Sequence, residues 1–286
     1  MNQLIAQFAA EGCLYVPRFF SEAECRTLKT AYQESIKSSP EPFLRQTTTR
    51  YETHNFSEDG FISNPLLNVH LLADTYQPFS ERVLQLLASD KLRDLLSQVF
   101  KAAPVLVQTM YFETSRGTNL HVDSDFIDST REGSMIGCWI PLEDIDEEAG
   151  RFCYYPKSFL LKEEGHFDSE STGLFKSYRE LCIRSVQNFQ SESKSTLLDN
   201  AMKSKKIMAA LLKKSNLEMR VDEVKTGDLI LFNSLTIHGS MKPRMTGKSR
   251  NSLTAHFIPG NTNLLKFQQD IIPLNILQEN ELLYHV

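Results

Sequence analysis

Leu120-His121-Val122-Asp123 follows an apolar run, 106–112, rich in β-branched and aromatic residues that reads as a strand. If 121–123 is extended as well, the two-residue period of a strand turns His121 and Asp123 to one face, their Cα atoms roughly 6–7 Å apart. An imidazole and a carboxylate at that spacing can converge on one ion. A second strand signal, Asp228-Leu229-Ile230-Leu231-Phe232, runs toward His238, which could bring a third ligand from across a sheet. Two histidines and one carboxylate on one triangular face leave positions open, an arrangement used by non-haem Fe(II) oxygenases. An H-x-D triplet is common by chance, so the flanking residues must carry the assignment. Asp125, two residues further on, is the alternative carboxylate.

The chain has 286 residues, of which 41% are apolar, enough for a sizeable core and too many for wholesale disorder. Its formal charge is −5, from 31 Lys+Arg against 36 Asp+Glu, which argues against a nucleic-acid or anionic-membrane partner. No run approaches the roughly 20 apolar residues of a membrane span, and Met1–Ala6 carries no basic leader region. Cys13, Cys25, Cys138, Cys153 and Cys182 are odd in number and scattered, so free thiols in a reducing cytoplasm are expected.

Residues 2–11 have helical spacing, stopped by Gly12, and Cys13-Leu14-Tyr15-Val16 reads as a short strand. Ser21-Glu22-Ala23-Glu24 is a capping-box pattern that predicts a helix over 22–36, broken at Pro40 and Pro42. Residues 43–78 read as irregular, a loop over an opening or plain surface. An apolar stripe predicts one helix over 80–100. Strand signals then dominate: 105–113, the segment around His121, 135–142, 152–155, 224–233 and 252–258. Helices followed by antiparallel strands predict an α+β, mainly β domain with a sandwich or barrel core. Residues 160–222 interrupt it with two helical stretches, 173–189 and 195–214, the second lysine-rich and read as a solvated face. The tail, 260–286, docks on the core or on another subunit. One domain over 1–286 with a helical insertion at about 160–222 is expected.

Arg250, Ser252, Thr254 and His256 alternate with Asn251, Leu253, Ala255 and Phe257. A polar face on a core strand is costly unless it lines a cavity or finds partners. An arginine there suits a carboxylate, because its planar fork makes two parallel charge-assisted hydrogen bonds. Around this strand several short texts occur together: Gln108-Thr109-Met110, His121-Val122-Asp123, Trp139 sixteen residues after Asp123, the segment from Gly150 to Ser158, Lys225-Thr226-Gly227-Asp228, Ile237-His238-Gly239-Ser240, Arg250 and Thr254-Ala255-His256-Phe257. With them the chain resembles the phytanoyl-CoA dioxygenase family of Fe(II)/2-oxoglutarate-dependent oxygenases, from Phe8 to about Phe257. Residues 160–222 and the C-terminal tail match poorly.

The resemblance implies a double-stranded β-helix, a cupin-like jelly roll, with N-terminal helices and a metal near its open mouth. It implies that His121, Asp123 and His238 are the iron ligands and the catalytic centre. Arg250 would grip the distal carboxylate of 2-oxoglutarate with Ser240 as hydrogen-bonding companion, and Met110 and Trp139 would wall that pocket. Twelve residues from His238 to Arg250 is one more than the family pattern, which keeps Arg244 as a weaker candidate. The implied reaction couples O2 and 2-oxoglutarate to oxidation of a C–H bond, releasing succinate and CO2. Halogenating relatives lack the carboxylate, so Asp123 favours hydroxylation, with desaturation or ring chemistry also open. Asp125, Phe126, Arg131, residues 43–60 and the insertion are the candidate substrate walls, and their polarity points to a small polar metabolite or natural-product intermediate. Oligomeric state is not legible. Read without the resemblance, Met110 and Trp139 serve as core residues and Ser240 as a turn cap; His256 is a hydrogen-bonding support, and His54, His70, His166 and His285 are packing or surface residues. The rival readings are a non-oxidative metal-dependent hydrolase or isomerase on the same fold, and a catalytically silent binding protein.

Overall fold

Ser21 caps the second helix as the sequence predicts: its hydroxyl accepts from Glu24 N–H while the Glu24 carboxylate accepts from Ser21 N–H. The structure, a computed structural model, describes residues 1–161, 205–206, 208–267, 270–279 and 281–286. Its helices are α1 (Asn2–Glu11), α2 (Glu22–Ala31), α3 (Gln77–Leu87) and α4 (Asp90–Phe100). Its strands up to the insertion are β1 (Cys13–Val16), β2 (Phe43–Leu44), β3 (Tyr51–Glu52), β4 (Leu66–Leu67), β5 (Pro104–Phe112), β6 (Thr118–His121), β7 (Ile127–Ser129), β8 (Ile136–Pro141) and β9 (Phe152–Tyr154). After it come β10 (Leu229–Asn233), β11 (His238–Ser240), β12 (Ser252–Pro259), β13 (Leu264–Lys266), β14 (Asp270–Ile272), β15 (Ile276–Glu279) and β16 (Leu282–His285).

The main sheet runs β1-β10-β8-β12-β5-β16-β15, with β4 also on β5, and a smaller sheet runs β6-β11-β9. The period of two sorts the main sheet's residues between two cores. Leu14, Leu229, Leu231, Cys138, Ile140, Leu253 and Ala255 pack against Phe8, Leu28, Phe79, Val83, Leu92 and Leu95 of the helices. The intervening Cys13, Ile230, Phe232 and Trp139 face the other way, onto Phe152 and Tyr154 of the small sheet. Burial on both faces explains why these strands read as continuous apolar runs. Two facing antiparallel sheets with helices on one outer side form the expected jelly roll.

Four expectations need correction. Residues 80–100 form two helices, because the backbone turns extended at Ser89 (φ −59°, ψ 135°), although the Ser89 hydroxyl makes no cap hydrogen bond with the described residues. The helix over 22–36 is α-helical only to Ala31 and continues as a π turn over Tyr32–Lys37, where Tyr32 and Lys37 both reach the buried Glu113 carboxylate. Asp123 is not in a strand: β6 ends at His121, Val122 stays extended, and Asp123–Asp125 is a 3-10 turn. Residues 43–78 hold three short paired strands around a fully buried Arg45, which bonds Glu52 O, Asn64 O and His54 Nδ1.

The tail docks on its own core, with β16 parallel to β5 (Leu283 opposite Val105) and β15 as the edge strand. The helical stretch predicted at 173–189 lies outside the described residues. Of 195–214, residues 205–206 and 208–214 are described and helical. There Met208 and Leu211 pack on Val122, Leu235 and Ile237, behind the small sheet.

Candidate metal centre

His121 and His238 are direct cross-strand partners in the β6–β11 pair. Antiparallel pairing brings side chains on one face to roughly 4.5–5.5 Å at Cβ, and the two rings lie 4.3 Å apart between centroids. The strands come this close because residue 239 has no side chain: a Cβ there would stand 2.6 Å from Thr118 O. The turn after Val122 then swings the Asp123 carboxylate over the pair. Its Oδ1 lies 3.4 Å from His121 Nε2 and 3.5 Å from His238 Nε2. Among the described residues, these three are the group whose ligand atoms fall together, all within 4.8 Å of one another.

The ring tautomers follow from the backbone. Nδ1 of His121 donates to Asn119 O and Nδ1 of His238 donates to Thr236 O, each at 2.9 Å. A carbonyl only accepts, so in the neutral form of each ring the hydrogen sits on Nδ1 and Nε2 keeps its lone pair for a metal. Three lone-pair donors facing one point without a cation repel one another, and a divalent metal resolves this. Burial pushes His238 below the usual histidine range despite the neighbouring Asp123. Burial would raise Asp123, but the charges of His238 and His256 outweigh it and hold the carboxyl well below its usual range. His121 is moved up: its burial acts downward and is overcome by the hydrogen bond and charge of Asp123.

Apolar rings brace His238. Phe232 lies 4.3 Å and Phe152 5.5 Å from it between centroids. Phe232 has its place because Gly137 has no side chain; a Cβ there would lie 2.3 Å from Phe232 Cζ. Phe152 stacks in turn on Trp139 at 5.3 Å. Above Trp139 sits the Arg250 guanidinium, 5.0 Å from the ring centroid. Arg250 is 4% exposed, and its side chain has no ion pair or hydrogen bond with the described residues. Burial pushes its pKa down to about 10. Ser252 Oγ and His256 Nε2 are likewise buried without a hydrogen bond on the same period-two face.

The remaining candidates are placed unequally. Met110 lies beside Thr254 in the β5–β12 pair. Ser240 Oγ accepts from Thr118 N–H at 2.9 Å and lies 3.2 Å from Ser115 Oγ, tying β11 to the loop before β6. Phe126 is 46% exposed, its ring edge-on to His121 at 6.2 Å. Asp125 is partly exposed on the turn that carries Asp123, and its charge reaches His121. Arg131 is not brought to the triad; its guanidinium reaches Phe100 O at the end of α4. Arg244 pairs with Glu147 on the surface, 3.2 Å away, which leaves Arg250 as the buried arginine of the site. His54 bonds Arg45 and Ile36 O, His285 at the end of β16 accepts from Asn275 N–H, and His166 and Cys182 lie outside the described residues. The sequence reading missed Phe152, Phe232 and Gly137; a glycine inside an apolar strand signal was the available cue.

Among solved structures, the chain is similar in fold to EctD from S. alaskensis with 2-oxoglutarate and 5-hydroxyectoine (TM-score 0.60, 14% identity, 94% of this chain and 80% of that one). It is similar to the carbocyclase SnoK from nogalamycin biosynthesis (TM-score 0.59, 14% identity, 94% and 87%). It is similar also to the epimerase SnoN in complex with Fe3+, alpha ketoglutarate and nogalamycin RO (TM-score 0.57, 15% identity, 92% and 84%). At such identity the likeness is one of fold. Phytanoyl-CoA dioxygenase domain-containing protein 1 of Danio rerio is 24% identical over 191 residues, which span 55% of this chain and 65% of that relative's length. The family profile described as phytanoyl-CoA dioxygenase (PhyH) matches residues 8–252, a span that takes in His121, Asp123, His238 and Arg250, and the chain therefore belongs to the phytanoyl-CoA dioxygenase family.

Proposed function

We propose that this protein is an Fe(II)- and 2-oxoglutarate-dependent dioxygenase that hydroxylates an unactivated C–H bond of a small polar metabolite or natural-product intermediate, releasing succinate and CO2. The observation that carries this reading is Arg250, a buried guanidinium without a counter-charge among the described residues, on the strand face that leads to the triad. A buried charge left unpaired costs several kcal/mol, and a dicarboxylate would supply the missing partner. His121, Asp123 and His238 would hold the iron. When bound, iron, O2 and 2-oxoglutarate supply the oxidising chemistry, and the chain orients and shields.

Each side chain then has a task. Arg250 fixes the far carboxylate, and the buried Ser252 hydroxyl lies two residues along to assist it. Ser240 already accepts from the Thr118 amide, so its contribution is the hydroxyl hydrogen. Trp139 walls the pocket under Arg250 and Met110 lines it from β5. Asp125, whose charge reaches His121, and the exposed Phe126, edge-on to the His121 ring, would meet the substrate. EctD is crystallised with 5-hydroxyectoine and 2-oxoglutarate, whereas SnoN and SnoK are an epimerase and a carbocyclase, so the outcome rests on the substrate as well as the fold. One domain over residues 1–286, with the insertion at about 160–222, belongs to the same reading.

The test is succinate release with Fe(II), O2 and 2-oxoglutarate across a panel of polar metabolites. Wild type is expected to release succinate above background and Asp123→Ala to release none. Turnover by Asp123→Ala at the wild-type rate would remove Asp123 from the ligand set.

A further inference from the structure

We propose that His256, braced by Gln108, is a positioning residue that keeps the Asp123 carboxylate bound to metal through one oxygen only. The proposal rests on the metal-site reading above and adds to it a control on coordination number. The two oxygens of Asp123 face different neighbours. Oδ1 looks toward the histidine pair, 3.4 and 3.5 Å from their Nε2 atoms. Oδ2 looks the other way, 3.1 Å from His256 Nε2. Both Oδ2 and His256 Nε2 are buried, and neither has a hydrogen-bonding partner among the described residues, which leaves each facing the other.

His256 is held from behind. It sits on β12 opposite Gln108 of β5, and its Nδ1 lies 3.0 Å from Gln108 Oε1. A carboxylate only accepts, so His256 serves Asp123 by presenting Nε2–H. With the Gln108 amide turned end for end, an exchange its two nearly isosteric ends permit, its nitrogen donates to Nδ1 and the ring carries its hydrogen on Nε2. Gln108, His256 and Asp123 would thus form a relay whose last donor is aimed at Oδ2 from 3.1 Å. A carboxylate free at both oxygens can chelate a metal and fill one more position. Six-coordinate iron with three protein ligands has three positions to offer, and a chelating cosubstrate with O2 needs all of them. Groups behind metal ligands typically change metal affinity or activity by about 10–100-fold when removed.

Cobalt(II) alone is the probe. The metal-free full-length protein is titrated with it, reading affinity by equilibrium dialysis and ligand number by visible d–d absorption. In His256→Phe, affinity is expected to fall about 10–100-fold, and the absorption band to change position and intensity as the second oxygen joins. His256→Gln, which keeps an N–H at similar reach, is expected to restore the wild-type band. Gln108→Leu leaves His256 and Asp123 in place and should move the band in the same direction by less; it keeps the proposal testable should His256→Phe not fold. A wild-type band and affinity in His256→Phe, or in Gln108→Leu if that variant alone folds, overturns the proposal. Failure of the wild-type protein to bind cobalt overturns the metal-site reading instead, and the relay with it.

Discussion

A guanidinium at 4% exposure with no carboxylate among the described residues raises the free energy of the folded chain and lowers that of an anion complex. The two effects separate in one variant. Arg250→Met keeps volume and removes the charge, so thermal stability is expected to hold or rise. Affinity for 2-oxoglutarate should fall by about 2–5 kcal/mol, roughly 30-fold or more, measured calorimetrically with the metal in place. A variant that melts much earlier yet binds 2-oxoglutarate normally would mark Arg250 as structural. The polar face that carries Arg250 was legible in the sequence, because alternation along one strand needs no knowledge of neighbours. The pairing of His256 with Asp123 was not legible, since it depends on how a turn near residue 123 meets a strand more than a hundred residues later.

Elements place the triad through backbone approach. Gly239→Ala would put a methyl group 2.6 Å from Thr118 O and force β6 and β11 apart at the register that sets His121 opposite His238. Stability is expected to drop by about 1–3 kcal/mol, and cobalt or iron binding to weaken more than melting temperature alone implies. Normal metal affinity in a normally folded Gly239→Ala would contradict this account of the strand contact. The strands that build the site were readable because both of their faces are buried or cleanly alternate. The end of β6 was not. Val122 is extended and nothing in His121-Val122-Asp123 announces the 3-10 turn, which closes through Phe126 N–H to Asp123 O and is held from the tertiary structure by Ser124 N–H to Ser234 O. The break between α3 and α4 was signalled by Ser89-Asp90 and masked by an apolar stripe that continues across it.

For the whole molecule, the C-terminal hairpin closes the sheet edge beside a buried histidine. His70 bonds Thr109 Oγ1 through Nδ1 at 2.8 Å, with the Tyr284 ring edge-on at 6.1 Å, and burial holds its pKa at about 4 against a usual 6.5. The folded value is the lower one, so the unfolded chain takes up the proton first, and His70 removes stability as pH falls from 6.5 toward 4. The full shift corresponds to about 3 kcal/mol. Urea denaturation of the metal-free protein should show wild type losing about that much relative to His70→Gln across this range; parallel profiles would contradict it. The same scale holds what the sequence left unread: the tail's docking and the helix over 208–214 behind the small sheet depend on surfaces assembled from distant segments. The helices, the mainly β core and the ligand types were accessible because each is written in local period and residue chemistry, whereas the jelly roll came with the family resemblance. The central claim is that His121, Asp123 and His238 hold iron beside a dicarboxylate fixed by Arg250, and anaerobic titration of the Fe(II)-loaded protein with 2-oxoglutarate tests it most directly. The expected result is a visible metal-to-ligand charge-transfer band that saturates in wild type, needs far more 2-oxoglutarate in Arg250→Met and is absent in Asp123→Ala; no band in wild type, or an undiminished one in Asp123→Ala, would contradict it.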